Sequence, residues 1–491
     1  MRGPAFERLL AVLVLTSLYG CLLGPNYERP KTEVPATFRF SMEQTAETAN
    51  TVWWEQFQDP VLNELIAAAL ADNLDVKIAA ARVEEFRGQF VTTRSGLFPQ
   101  VGANFDASRQ RASQSGAVPL PAGVGAVYNQ VDASVSASWE IDLFGKIRRQ
   151  SEAARANLLA SEEGRRGTIL SLVASVASSY INLRSLDKQL DIAKATVQSR
   201  ADSVNVFTLR FKGGEVSQLE LAQSQSEYQA ARATLPQLEA QIAVQEDALA
   251  VLLGRNPEPI VRGHDLDALA APTIPSGLPS DLLERRPDLL QAEQNLVAQN
   301  ALIGAARALY FPSISLTGLF GSLSTDFASL FSGPARIWSF AGAVSLPIFT
   351  AGNIEGQVHQ AEARQQEALF AYRKAIQVAF QEVSDALINL QKSGEQLSVQ
   401  GDQVSALAMY AHLARLRYEG GYTSYIEVLD AERSLFNAQL SYTQTQGVQL
   451  TSFVNLYKAM GGGWVIKAQE LTQPPAVQQP IAGVPAAEAQ R

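Results

Sequence analysis

Most of the chain repeats apolar residues with the period of an α-helix. The longest such stretch follows Asp142-Leu-Phe-Gly145 and runs without a proline to Lys212, about 67 residues or roughly 100 Å of helix. A heptad seam inside it, interrupted by Arg200, follows Leu183, Leu186, Leu190, Ala193, Val197, Val204, Phe207 and Phe211. The seam predicts that this long helix packs as a coiled coil.

Two shorter stretches, at about 100–111 and 127–139, alternate apolar and polar residues. In the first, apolar residues such as Phe105 are followed by polar residues such as Asp106. A segment rich in Gly, Pro and Ser, about 112–126, joins the two. Alternation with a period of two residues predicts a β-hairpin with one apolar and one polar face.

The same order of elements occurs twice. Gly213-Gly214 corresponds to Gly420-Gly421 about 207 residues later, so the chain is a duplicated unit. We place repeat 1 at 59–270 and repeat 2 at 278–465. Repeat 1 adds to its two strands helices at about 60–95, 146–212 and 217–254. Repeat 2 has strands at about 313–323 and 337–347 and helices at about 281–309, 353–419 and 424–460.

The Gly-Gly pairs predict tight turns between two helices. The glycines supply the left-handed backbone that ends the first helix. Ser217 with Glu220, and Ser424 with Glu427, have the S-x-x-E spacing of a capping box that starts the next helix.

The N-terminus resembles a secretory leader. Arg2 and Arg8 precede a short apolar run, and Leu18-Tyr-Gly-Cys21 resembles a bacterial lipobox. We expect a signal peptide at 1–20, lipidation of Cys21, and a proline-containing strap at 21–58. Ordinary signal cleavage without lipidation is the alternative. The proline-rich residues 466–491 are predicted to be a disordered tail.

The elements predict a mixed, mainly α, fold that is incomplete alone. Four strands per chain have the alternation of a barrel wall, but membrane barrels need about eight. Three copies would supply a 12-stranded outer membrane β-barrel, with the long helices forming a coiled-coil periplasmic tunnel. We therefore expect a homotrimer.

Neither the composition nor the spacing of reactive residues predicts a catalytic site. A net charge of -9 gives no basic footprint for nucleic acid. His264, His359 and His412 lack metal-ligand spacing, and Gly461-Gly-Gly463 lacks the Lys and Ser/Thr of a phosphate loop. We expect no enzyme activity, no cofactor and no metal.

Several motifs together resemble one known family. They are Gly24-Pro-Asn-Tyr-Glu-Arg-Pro30, Trp53-Trp54, Phe57-Gln-Asp-Pro60, Ile141-Asp-Leu-Phe-Gly145, Arg417-Tyr-x-Gly-Gly and Leu429-Asp-Ala-Glu-Arg433. The chain is similar to TolC-type outer membrane factors of the lipoprotein (NodT) branch. The resemblance implies an outer membrane channel-tunnel that conducts small molecules passively. It also implies two partners, a periplasmic adaptor and an inner-membrane resistance-nodulation-division transporter.

The resemblance assigns roles to the turns. It implies adaptor contacts at Arg210, Gly213, Gly214, Ser217, Arg417, Gly420, Gly421 and Ser424. It implies a periplasmic gate at Tyr418, Glu427 and Asp430. The residues alone also permit a solvated helix face in which Asp430 pairs with Arg433. Glu427 aligns with Glu220 and can be explained by capping, whereas Asp430 aligns with Gln223, so Asp430 is the stronger gate candidate.

Two other functions fit parts of the pattern. An outlet for type I protein secretion is the near alternative, although the lipid anchor and the strap motif resemble the efflux branch. A soluble coiled-coil scaffold would explain the heptads but not four amphipathic strands at matching places in both repeats.

Overall fold

A computed structural model describes residues 22–32, 35, 37–40, 52–113, 125–274 and 282–461. The predicted signal peptide at 1–20, the lipidation site Cys21 and the predicted tail at 466–491 lie outside the described residues. The strap at 21–58 is described in part.

Eight helices and four strands carry the fold of the described residues, besides short 3-10 turns. The helices are α1 (Pro60–Asp72), α2 (Leu74–Ser95), α3 (Lys146–Lys212), α4 (Gln218–Leu252), α5 (Leu282–Arg285), α6 (Pro287–Arg307), α7 (Asn353–Glu419) and α8 (Tyr425–Ala459). The strands are β1 (Gln100–Arg111), β2 (Val127–Ile141), β3 (Ser313–Ser324) and β4 (Arg336–Ser345).

Two pairs of matching helices have the same length in both repeats. The long helices α3 and α7 have 67 residues each, and the helices α4 and α8 that follow the turns have 35 each. This equality is a structural sign of the duplication.

The single helix predicted at 60–95 is wrong, because Asn73 divides it into α1 and α2. The Asn73 side chain accepts hydrogen bonds from the N–H groups of Asp75 (2.8 Å) and Val76 (3.1 Å), and so caps the start of α2. Its amide also donates to the carbonyl of Leu252 at 2.9 Å. The break is therefore tied to the end of α4.

Other predicted bounds also differ from the observed ones. The predicted helix 281–309 is interrupted before Pro287, because the residue preceding a proline disfavours helical backbone. Strand β2 continues to Ile141, which pairs with Ile314 of β3. Strand β4 ends at Ser345 instead of 347.

The chain forms two compact units, and each takes residues from both repeats. Of the described residues, unit 1 takes those within 22–31, 82–162 and 291–373. Unit 2 takes those within 32–81, 163–290 and 374–461. A repeat is therefore not a domain.

Unit 1 holds one antiparallel sheet in the order β1-β2-β3-β4. Its register places Ala103, Val135, Phe320 and Trp338 in one row across the four strands. In β1 and β2 the neighbouring row carries polar residues such as Asn104 and Ser134, because side chains alternate between the faces of a strand. The apolar face is exposed in the single chain, and Phe340 is 78% exposed on it.

The strap is fixed within unit 1 by Arg149 of α3. This guanidinium is buried and donates to the carbonyl of Leu23 (3.0 Å), the carbonyl of Gly24 (3.3 Å) and the side chain of Asn26 (2.9 Å). It also pairs with Glu152 at 2.8 Å. One buried cation thus supplies hydrogen-bond donors to the backbone carbonyls of an extended segment that is not part of the sheet.

Unit 2 holds the largest hydrophobic core. The buried ring of Trp53 stacks on Tyr457 of α8, with centroids 5.3 Å apart. Asp59 is fully buried and caps α1, while its second oxygen accepts from the hydroxyl of Tyr180 (2.7 Å) and the N–H of His264 (3.0 Å). Burial, with the hydrogen bond to Asp59, raises the pKa of Tyr180.

By length and composition, one stretch of α3 could cross a membrane, and 67% of that stretch is buried inside the protein. A helix that supplies the core of a fold has the same composition. We therefore assign the stretch to the core.

Candidate functional site

The candidate site is the pair of turns that follow the two long helices. Turn 1 comprises residues 213–217 and turn 2 comprises residues 420–424. Their side chains and flanking residues share one hydrophobic cluster, which includes Phe207, Val216 and Tyr425. The two turns are therefore neighbours within unit 2.

Both long helices end in the same hydrogen-bond pattern, a Schellman motif. Its N–H to carbonyl bonds run from Gly214 to Phe211 (3.0 Å), Glu215 to Arg210 (2.9 Å), Gly421 to Tyr418 (3.0 Å) and Tyr422 to Arg417 (2.9 Å). Gly214 (φ 77°) and Gly421 (φ 74°) adopt the left-handed backbone, and Gly213 and Gly420 do not. The second glycine of each pair is thus the residue that the turn requires.

The helices after the turns begin differently. At turn 1, the N–H of Glu220 donates to the hydroxyl of Ser217 (3.3 Å), and the N–H of Ser217 donates to the carboxylate of Glu220 (2.8 Å). This is the predicted capping box. At turn 2, the side chain of Ser424 makes no capping hydrogen bond, so the second predicted box is wrong.

The carboxylate of Glu427 has other partners. The hydroxyl of Thr423 donates to one of its oxygens, and Arg417 donates to the other at 3.2 Å. These bonds hold the carboxylate away from the N–H of Ser424, where a capping box would need it. The explanation of Glu427 by capping therefore fails, and its charge serves the contact between turn 2 and the end of α7.

Asp430 lies one helical turn further along α8. Arg433 donates to its carboxylate at 2.9 Å, and both side chains are more than half exposed. This is the pairing expected of a solvated helix face. An exposed pair at this spacing contributes only about 0.3–0.5 kcal/mol, so Asp430 remains available to solutes.

Tyr418 joins the two turns through its ring. Its ring centroid lies 6.1 Å from that of Phe207 and 5.3 Å from that of Tyr425. Burial raises the pKa of Tyr418, with a contribution from Glu220, while a hydrogen bond with Arg210 opposes the shift. Tyr418 is thus neutral near pH 7 and can only lock the turns by packing and hydrogen bonding.

Sequence reasoning missed three contributors to this site. Tyr425 lies directly on Phe207, with centroids 4.0 Å apart. Arg415 of α7 forms an ion pair with Glu432 of α8. The tyrosine follows the cap position immediately, so its place was readable, but the pairing of Arg415 with Glu432 depends on how two distant segments pack.

Comparison with known proteins places these features in a family. The family model for outer membrane efflux proteins matches residues 65–255 and 278–462. The chain is 38% identical over 470 residues to the probable efflux pump outer membrane protein TtgC of Pseudomonas putida, covering 94% of this chain and 97% of the relative. It is 36% identical over 462 residues to the cation efflux system protein CusC of Escherichia coli, covering 93% and 99%.

A solved structure agrees with this placement. The CmeC outer membrane channel of Campylobacter jejuni superposes with a TM-score of 0.84 at 26% identity, covering 92% of this chain and 98% of that one. The fold and the paired turns together define the class of protein, which is an outer membrane channel with a helical tunnel.

The chain belongs to the family of outer membrane efflux proteins. Its four strands are one third of a trimeric 12-stranded barrel, and its long helices form the periplasmic tunnel. It is the outer membrane channel of an efflux system.

Proposed function

We propose that three copies of this chain form the exit duct of a tripartite pump and that the duct opens at turn 2. The duct receives small molecules from a periplasmic adaptor and a resistance-nodulation-division transporter of the inner membrane. The transporter supplies the energy. The chain itself conducts passively and catalyses no reaction.

The observation that carries the gate is the difference between two otherwise matched turns. Turn 1 is closed by its own capping box. Turn 2 has no such box, and its Glu427 carboxylate is held instead by the hydroxyl of Thr423 and by Arg417 at the end of α7. Such contacts can break without unfolding either helix, so turn 2 is the better moving part.

Asp430 sets the charge at the opening. In a trimer, three copies of Asp430 would form a ring of carboxylates near the tunnel axis and attract cations. Arg433 neutralises each carboxylate only in part, because both side chains are exposed.

The backbone and polar groups of the turns are the surface we assign to the adaptor. Arg210, Gly213, Gly214 and Ser217 form it at turn 1, and Arg417, Gly420, Gly421 and Ser424 at turn 2. At turn 2 the hydroxyl of Ser424, which makes no capping hydrogen bond, and the side chain of Arg417 can each donate to a partner. An adaptor that bonds Arg417 better than Glu427 does would favour the open state.

We also propose that Cys21 carries the lipid anchor. Leu22, the next residue, lies against Gly145, which follows the end of β2 at Ile141 by four residues. The strap thus begins beside the membrane-spanning strands, where an acyl chain reaches the bilayer.

The alternatives fit less well. A soluble scaffold would not carry a sheet whose exposed face includes Trp338 and Phe340. An outlet for type I secretion shares the fold, but the relatives reported above are efflux proteins.

The proposal is tested by complementation. Cells that lack their own channel but retain a matching adaptor and transporter receive this chain, and efflux of a fluorescent substrate is measured. We expect efflux to return with the wild-type chain and to be lost when Gly421→Pro disrupts turn 2. Folded trimer in the outer membrane without any efflux would overturn the proposed function.

A further inference from the structure

An open cleft of about 1360 Å³ lies among α3, α4, α7 and α8 in unit 2. Side-chain amides and hydroxyls dominate its lining. Among the lining residues, all of which the structure describes, Lys392 is the one charged side chain, and it pairs with Glu395 at 2.7 Å. The cleft is therefore polar but close to neutral.

One face of each helix forms the cleft. On α3 it is lined by Ser178, Asn182, Ser185 and Gln189, and the steps of four, three and four residues keep these on one side. Residues at the same spacing line it on α8, namely Gln444, Val448, Thr451 and Asn455.

The opposite faces of the same helices are covered by other segments. Tyr180 of α3 bonds Asp59, and Arg184 of α3 pairs with Asp265 at 2.7 Å. Tyr457 of α8 stacks on Trp53. The cleft therefore faces away from the segments that wrap unit 2. We assign this side to the tunnel lumen of the proposed trimer.

Small residues make the floor concave. A Cβ atom added at Gly447 would lie 3.0 Å from the Ser185 side chain, so α3 and α8 approach closely there. Ser393 and Ser452 are also buried at this level. Longer side chains stand around this floor and form the rim.

Some amides at the rim form hydrogen bonds within the protein, and others are exposed to solvent. Asn182 donates to Gln245 at 2.8 Å, which ties α3 to α4. The amides of Gln241, Asn389 and Gln444 are exposed and make no hydrogen bond to the part of the chain that the structure describes. A primary amide both donates and accepts, so these groups can serve ligands of either kind.

Apolar surface lies beside the amides. Leu186 and Leu238 are buried in the floor, and Leu440 is partly buried next to them. A ligand site that combines apolar contact with a few hydrogen-bonding groups suits an organic molecule with an apolar body and polar substituents. A strongly charged ligand would lose hydration here and meet only the Lys392 charge, which Glu395 offsets at 2.7 Å.

We infer that this amide cleft is a transient binding site for uncharged organic molecules that carry hydroxyl or amide groups, as they pass through the tunnel. The inference rests on the proposed function, because the lumen-facing position assumes the trimeric duct. Binding is weak, since exposed amides are already hydrated. Weak binding suits a duct, which must release what it receives.

Saturation-transfer NMR on the detergent-solubilised trimer tests the inference. Chloramphenicol serves as the neutral probe with hydroxyl and amide groups, and benzoate as the charged comparison. We expect transfer to chloramphenicol in the wild type and at least a fivefold loss in the double variant Gln241→Ala, Gln444→Ala. Two exposed amides outside the cleft provide the matched control, Gln229→Ala with Gln391→Ala, which should keep the wild-type signal.

Two results would overturn the inference: equal transfer in both double variants, or equal transfer to benzoate and chloramphenicol in the wild type. Conductance of the same preparation in a planar bilayer separates this failure from that of the channel. Conducting trimers without cleft-dependent transfer refute the cleft alone, whereas the absence of conductance refutes the duct.

Discussion

At the scale of single residues, Glu427 shows how one sequence pattern can serve two structures. Both turns carry Ser-x-x-Glu, and only turn 1 forms the capping box. The difference lies at Thr423, which matches Val216 in turn 1: its hydroxyl, together with Arg417, bonds the Glu427 carboxylate, whereas valine has no hydroxyl to donate. Sequence reasoning found the residue and the turn, but it could not weigh a local cap against a contact with the preceding helix.

Asp430 is the residue on which we predict ion selectivity to depend. Asp430→Ala removes the proposed ring of three carboxylates, so we expect lower cation selectivity and weaker block by divalent cations in single-channel recordings. Gln223→Ala, at the matching position of repeat 1, serves as the control and should change neither. Unchanged selectivity in Asp430→Ala would refute the charged ring.

Arg149 is the residue on which we predict the strap to depend. Arg149→Met leaves the carbonyls of Leu23 and Gly24 without their donor, at a cost of about 2–3 kcal/mol. We expect faster cleavage of the strap in limited proteolysis and a lower thermal midpoint. Arg155→Met, at an exposed position of the same helix, should resemble the wild type. Equal cleavage in the two variants would show that Arg149 does not hold the strap.

At the scale of elements, the strands were readable because alternation follows directly from the pleat. The split of the predicted helix 60–95 was not readable. Asn73 is a weak signal alone, and its amide is fixed by the carbonyl of Leu252, which lies far away in sequence. Local patterns predicted the type of each element, whereas contacts between distant segments decided where some of them end.

The two faces of β4 provide a test of the membrane orientation. Phe340 lies on the apolar face and Ser339 on the other. Phe340→Lys places a charge against lipid and should cost about 2–4 kcal/mol, whereas Ser339→Lys should be tolerated inside the barrel. The measurement is the amount of heat-modifiable trimer in the outer membrane fraction. Equal amounts for both variants would contradict the assigned orientation.

At the scale of the whole molecule, the need for several copies follows from a count of strands. Four strands cannot close a barrel, and among the described residues the two outer strands, β1 and β4, each leave one edge unpaired. Three copies close the sheet. The sequence could predict this closure, because both repeats carry alternating strands. It could not predict that the compact units would divide within the long helices, because contacts between distant segments decide that boundary.

The central claim is that turn 2 is the gate and turn 1 is fixed. Glu427→Gln weakens the bonds to Arg417 and Thr423, while Glu220→Gln keeps the turn 1 box, since glutamine also serves in that position. If the closed state loses about 0.5 kcal/mol of stabilisation in each of the three copies, the equilibrium shifts about tenfold toward the open state.

Single-channel recording of these two variants beside the wild type is the most direct test. The structure predicts that Glu427→Gln raises the open probability about tenfold and that Glu220→Gln leaves it unchanged. Equal open probabilities in all three proteins, or opening by Glu220→Gln alone, would contradict the assignment of the gate to turn 2.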